Sequence, residues 1–184
     1  MSTVQNEVGV ETRQVLVVMG SISDWPQIKH ACDSLKELGI SYYVRVTSAH
    51  RTPERMFKTA QEARSRGFKV IIAAAGGAAH LPGMVASETS LPVIGCPMKT
   101  SSVYGDQAST LSIQQMPKGI PVATMALGDS GAYNAGLYAA RILGICDPGI
   151  AARVDRFVDE LRLSVPQTPD NSFDSGDAYP AQWR

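Results

Sequence analysis

Three short stretches of this 184-residue sequence concentrate the side chains that could carry chemistry: Gly20-Ser-Ile-Ser-Asp24, Thr47-Ser-Ala-His-Arg51 and Ala75-Gly-Gly-Ala-Ala-His80. They hold two of the three histidines, His50 and His80, with the hydroxyls of Ser21, Ser23 and Ser48, the carboxylate of Asp24, the cation of Arg51 and the pair Gly76-Gly77. Singly, each has an ordinary structural use. Ser23 or Asp24 can cap a helix, Gly76-Gly77 can serve a tight turn, and Arg51 can be a solvated charge. A lone histidine is more often structural than catalytic, and His30, in a helical stretch amid polar neighbours, is of that kind. Together the three stretches offer an imidazole, a fixed cation, hydroxyls, one carboxylate and glycines that permit close approach. That set suits a small, anionic, hydroxylated ligand such as a sugar phosphate or nucleotide.

Other chemistries lack support. No Gly-x-Gly-x-x-Gly follows the first apolar run and no Walker loop is present. The histidines have no Cys or Glu companions at metal-ligand spacing, and there is no Gly-x-Ser-x-Gly elbow. Lys+Arg 17 balance Asp+Glu 17, which argues against a nucleic-acid surface. No apolar run approaches the ~20 residues that span a bilayer. Residues 1–14 contain no apolar core of a secretory signal. The three cysteines Cys32, Cys96 and Cys146 are odd in number and widely spaced, so a reducing cytosol is expected rather than a disulfide framework. A flavin-holding module is the reading from another class, but aromatics are only 7%, with no tryptophan in an obvious stacking loop.

The elements that must position these residues follow from the apolar pattern. Val15-Leu-Val-Val-Met19 and Val70-Ile-Ile-Ala-Ala-Ala75 are continuous apolar runs, as expected of strands buried on both faces. Strands are also expected at Ser41–Val46, Pro92–Gly95 and Pro121–Leu127. Helices are expected at about Trp25–Leu38, with Ser23 or Asp24 as cap, and at Pro53–Arg66, capped by Thr52. Further helices are expected at Leu81–Ser87, Gln107–Met116, Gly131–Leu143 and Ile150–Leu163. Alternation five times over means an α/β fold, a three-layer α/β/α sandwich with a five-stranded parallel sheet in flavodoxin-like order. Residues 13–165 make a single catalytic domain, with tails at 1–12 and 166–184. In such a sheet ligands bind outside the carboxyl ends of the strands, which is where the three stretches fall. Gly131–Leu143 carries one charge, Arg141, and is small or apolar nearly all round. It reads as a subunit interface, with burial under the C-terminal helix of the same chain as the alternative. A charge at Ala135 or Ala139 is then expected to dissociate the particle.

Gly20-Ser-x-Ser-Asp-Trp25, Ser48-Ala-His-Arg-Thr-Pro53 and Ala75-Gly-Gly-Ala-Ala-His-Leu-Pro-Gly83 resemble the three signature loops of the N5-carboxyaminoimidazole ribonucleotide mutase family. The resemblance continues through Leu111-Ser-Ile-x-Gln-Met-Pro117, Gly119-Ile-Pro-Val-Ala-Thr124 and Gly131-Ala-x-Asn-Ala135, covering about Val15 to Leu163. It implies an isomerase of purine biosynthesis that moves a carboxyl from N5 to C4 of aminoimidazole ribonucleotide (AIR), through enclosed AIR and carbon dioxide. The alternative is direct carboxylation of AIR, but enzymes of that class have Lys after the loop histidine, where this sequence has Arg51. His50 matches the acid/base residue. Ser21, Asp24 and Arg51 match ribotide-binding positions, joined by Ser23 and Ser48. Gly76, Gly77 and the loop to His80 would approach the base and the migrating carboxyl. The resemblance implies no metal, no organic cofactor and a homo-octamer. It lapses between Gly95 and Thr110, where the family usually reads Gly-Val-Pro-Val and this sequence has Gly95-Cys-Pro-Met98 and a Lys-Thr-Ser-Ser-Val-Tyr segment.

Overall fold

The computed structural model describes residues 13–166; the expected tail at 1–12, and the other beyond Pro166, lie outside the described residues. The chain runs β1 (Val15–Met19), a 3-10 turn (Ile22–Asp24), α1 (Trp25–Glu37), β2 (Tyr42–Val46), α2 (Pro53–Ala63), β3 (Val70–Gly76), α3 (Leu81–Ser87), β4 (Val93–Met98), α4 (Gly105–Gln114), β5 (Ala123–Thr124), α5 (Asp129–Gly144) and α6 (Pro148–Ser164). The sheet order is β2-β1-β3-β4-β5, every pairing parallel. This is the flavodoxin-like order, as expected.

The two apolar runs became the central strands: every residue of β1 is buried, as is β3 from Val70 to Ala75. Side chains alternate between faces. Leu16, Val18, Ile71 and Ala73 join one core with Met56 and Ala60 of α2, Leu81 and Val85 of α3 and Ile113 of α4. On the opposite face α1 packs against α5. Contacts divide the chain into two compact units, Met1–Val154 and Asp155–Arg184. Within the first, α6 contributes buried Ile150, and Arg153 Nε donates to the Leu38 carbonyl at 2.6 Å. The second has local ties of its own, including Arg162 to Asp159 at 2.8 Å.

Three expectations need correction. β5 pairs only at Ala123 and Thr124 rather than over seven residues. β4 runs on to Met98, through Pro97. The residue side of β4 that faces β5 carries Gly95 and Pro97, and β5 has ended by then. Pro97 therefore lacks an N–H where no strand asks for one, and its carbonyl accepts from Gly128 N–H at 3.0 Å. Finally, Ala135 and Ala139 are fully buried inside one chain, so α5 does not offer them to a second subunit. α5 packs closely on α1 instead: Ser34 Oγ donates to the Tyr133 carbonyl at 2.9 Å, and a β-carbon on Gly136 would lie 2.6 Å from the Ala31 carbonyl oxygen. Small residues on α5 let two helices of the same chain approach closely.

Candidate active site

The crevice falls where β1 sends the chain to β2 on one side and β3 lies on the other, the switch in strand order at which α/β sheets place ligands. There the carboxyl ends of β1, β2, β3 and β4 open on a cavity of about 610 Å³. Ser21, Ser23, Asp24, Ser48, His50, Arg51, Gly76 and Gly77 all line it. His80 does not line it but touches His50.

The first loop is set by reciprocal capping. Ser21 Oγ accepts from Ser23 N–H at 3.2 Å, and Asp24 Oδ2 accepts from Ser21 N–H at 3.0 Å. The cap belongs to the 3-10 turn, since neither Ser23 nor Asp24 caps α1 with its side chain. Burial raises the Asp24 carboxyl above its ordinary value, opposed by the backbone N–H groups of Ser21 and Gly20 and by the charge of Arg51. A raised acid favours its neutral form in the fold. Its stabilising contribution is thus complete below the ordinary value of 3.8 and is lost as pH rises through the raised one. Asp24→Asn keeps an oxygen for Ser21 and is expected to melt above wild type at pH 7 but not at pH 3. Thermal scans at both pH values check this, and a variant that melts lower at pH 7 contradicts it.

In the second loop Thr52 does not cap α2 with its side chain, against expectation. Its hydroxyl closes the loop on itself, accepting from Ser48 N–H at 2.9 Å and donating to the Ser48 carbonyl at 3.1 Å. Ser48 Oγ in turn accepts from Arg51 N–H at 3.2 Å and Nε at 3.4 Å, while Arg51 Nη2 reaches the Gly20 carbonyl at 3.4 Å. The guanidinium is thereby held across the gap between the first two loops.

The third loop needs its glycines. A β-carbon on Gly76 would lie 2.8 Å from Thr100 Cγ2, so the bare backbone lets the loop after β4 close down. Gly77 has φ +64°, a conformation that side chains with a β-carbon rarely adopt. The chain then turns to place His80 against His50: the rings meet edge to face, 5.0 Å between centroids, with His50 Nε2 and His80 Nδ1 2.9 Å apart. One proton fits that contact, held by either ring according to tautomer. An imidazole pair beside close-approach backbone can give and take a proton at a bound ligand.

Four lining residues escaped the sequence reading: Lys99, Thr100, Ser101 and Ser102, which follow β4. Asp106 Oδ1 accepts from Thr100 N–H at 2.9 Å and fixes the loop to the start of α4. The signal was the strand-end rule itself, applied one strand further. Among the described residues no three His, Cys, Asp or Glu side chains gather as metal ligands, and no helix is long and apolar enough to cross a membrane.

Residues 14–163 match the model of the AIR carboxylase family. N5-carboxyaminoimidazole ribonucleotide mutase of Bacillus subtilis is 53% identical over 154 residues, 84% of this chain and 94% of its own. The mutase of Saccharolobus solfataricus is 54% identical over 155 residues, 84% and 96% of the two chains. The crystal structure of PurE from Treponema denticola superposes with a TM-score of 0.73 at 31% identity, covering 82% of this chain and 92% of that one. With the glycine–histidine loop, the paired imidazoles and the strand order in place, the chain belongs to the AIR carboxylase family.

Proposed function

We propose that this chain is an N5-carboxyaminoimidazole ribonucleotide mutase, an isomerase that converts N5-carboxy-AIR to 4-carboxy-AIR in purine biosynthesis. The observation that carries the reading is His50, lining the cavity opposite Gly76-Gly77 with His80 at 2.9 Å. In the first half-reaction the N5–carboxyl bond breaks, its electron pair stays on N5, and protonated His50 supplies a proton there. In the second, C4 attacks the carbon of the retained carbon dioxide, and neutral His50 removes the C4 proton. The proton taken equals the proton given, so the sum is an isomerisation. At 2.9 Å, His80 Nδ1 can hydrogen-bond His50 Nε2 and so orient the ring through both halves. Asp24 suits the ribose hydroxyls, and Arg51, Ser21, Ser23 and Ser48 suit the anionic part of the ribotide. Purified protein given N5-carboxy-AIR in bicarbonate-depleted buffer should form 4-carboxy-AIR. Formation only from AIR and added carbon dioxide would replace the mutase reading with direct carboxylation.

Arg51→Ala should raise KM by about 10- to 100-fold, the ~1.5–3 kcal/mol of a hydrogen bond to a charged group, with a smaller effect on kcat. An unchanged KM would make Arg51 a surface charge.

The assembly belongs to the same proposal: a cytosolic homo-octamer, with light scattering giving about eight times the 19.7 kDa chain mass. The apolar side chains left exposed on one chain, among them Ile22, Tyr138 and Ile145, support association. A monomeric, fully active protein would end it.

A further inference from the structure

We propose that Lys99 is a second anion-holding residue of this cavity and that it takes the 5′-phosphate of the ribonucleotide, the identity of that ligand resting on the mutase reading. Lys99 is the first residue after β4 and lines the cavity, where Arg51 is the other fixed cation. Its backbone is clamped on both sides by one side chain. Gln27 Nε2 donates to the Lys99 carbonyl at 3.0 Å, and Lys99 N–H donates to Gln27 Oε1 at 2.9 Å. Gln27 follows Ser23 and Asp24 by about one helical turn, so the clamp sets Lys99 on the side of the cavity built by the first loop.

The stem is placed as well. It crosses Gly128, where a β-carbon would lie 2.9 Å from Lys99 Cε and 3.2 Å from Cδ. Gly128 has φ +78° and ψ −149°, a region open essentially to glycine. Among the described residues no carboxylate lies within 4.0 Å of the ammonium. Asp24 is engaged by Ser21 N–H, and Arg51 by Ser48 and Gly20. A clamped backbone and a guided stem thus carry a charge without a carboxylate partner among the described residues, on a residue that lines the same cavity as Ser21, Ser23 and Ser48. Lysine is a point charge with three donors and no planar demand, which suits a tetrahedral dianion approached from one side. The residue lies in the stretch where the sequence departs from the family's usual pattern, so none of the signature loops accounts for it.

The test compares wild type with Lys99→Met and Lys99→Arg in two measurements: turnover of N5-carboxy-AIR, and calorimetric binding of ribose 5-phosphate and of ribose. The expected result for Lys99→Met is a KM about tenfold higher, kcat changed less than about twofold, and a flatter dependence of KM on ionic strength. Ribose 5-phosphate should weaken by a similar factor, ribose should not respond, and Lys99→Arg should recover most of the loss. Unchanged KM and unchanged ribose 5-phosphate affinity overturn the proposal. So does a fall in kcat with KM and ribose 5-phosphate binding intact, which would assign Lys99 to the migrating carboxyl. If wild type does not convert N5-carboxy-AIR, the mutase reading fails on its own, and ribose 5-phosphate binding still decides Lys99.

Discussion

His50→Asn is expected to lower turnover by about 10²–10⁴-fold, the usual contribution of a positioned general acid/base, while the variant folds and binds ribotide much as wild type does. His50 is exposed on a loop end and belongs to no core cluster, so removing its ring costs little packing. Asparagine retains a polar group of similar reach but cannot carry a proton back and forth. The effect should therefore appear in kcat, with KM and melting temperature nearly unmoved. Since the proposed scheme uses the same side chain first as acid and then as base, neither half-reaction escapes the loss. Activity above about a tenth of wild type would remove His50 from that role.

The second large effect is on the fold. Ala135→Asp is expected to unfold the chain, and Gly136→Val to do nearly the same by a different route. Ala135 is fully buried within the chain, so an aspartate there is an unpaired charge taken out of water, at a cost of about 3–5 kcal/mol. That is a large part of the ~5–15 kcal/mol by which a domain is stable. At Gly136 the obstacle is steric: added carbons meet Ser34 Oγ and the Ala31 carbonyl, both on a buried stretch of α1. Circular dichroism and soluble yield decide the matter. A folded Ala135→Asp protein of lower oligomeric mass would restore the interface reading that the structure corrects.

That correction shows where sequence reasoning stopped. The small, nearly uncharged face of α5 announced close burial, and burial is what the structure shows. Composition cannot name the partner, because Ala31 and Ser34 of α1 are distant in sequence and look like any helix face. β1 and β3 were legible because central parallel strands are apolar on both sides. His50, Arg51 and Gly76-Gly77 were legible because a strand-to-helix loop rarely collects such residues without cause. The four lining residues after β4 were missed for a traceable reason. The expected strand ends at Gly95 and only the loops after the first three strands are read for ligand residues, whereas β4 runs through Pro97 to Met98. Only the register shows that Pro97 sits where no hydrogen bond is asked of it. The contact of His80 with His50 was also beyond reach, since β2 and β3 are separated in the sheet by β1.

That separation bears on how the molecule comes to be active. Val15 pairs with Tyr42 on one side and with Val70 on the other, so the first strand made gains both its neighbours from later stretches of chain. Both flanking strands return only after a helix has formed and a long stretch of chain has closed, and such closures are slow compared with helix formation. Helical signal will therefore run ahead of the paired imidazoles during refolding. A chain halted in that interval would have most of its spectroscopic helix and none of its chemistry.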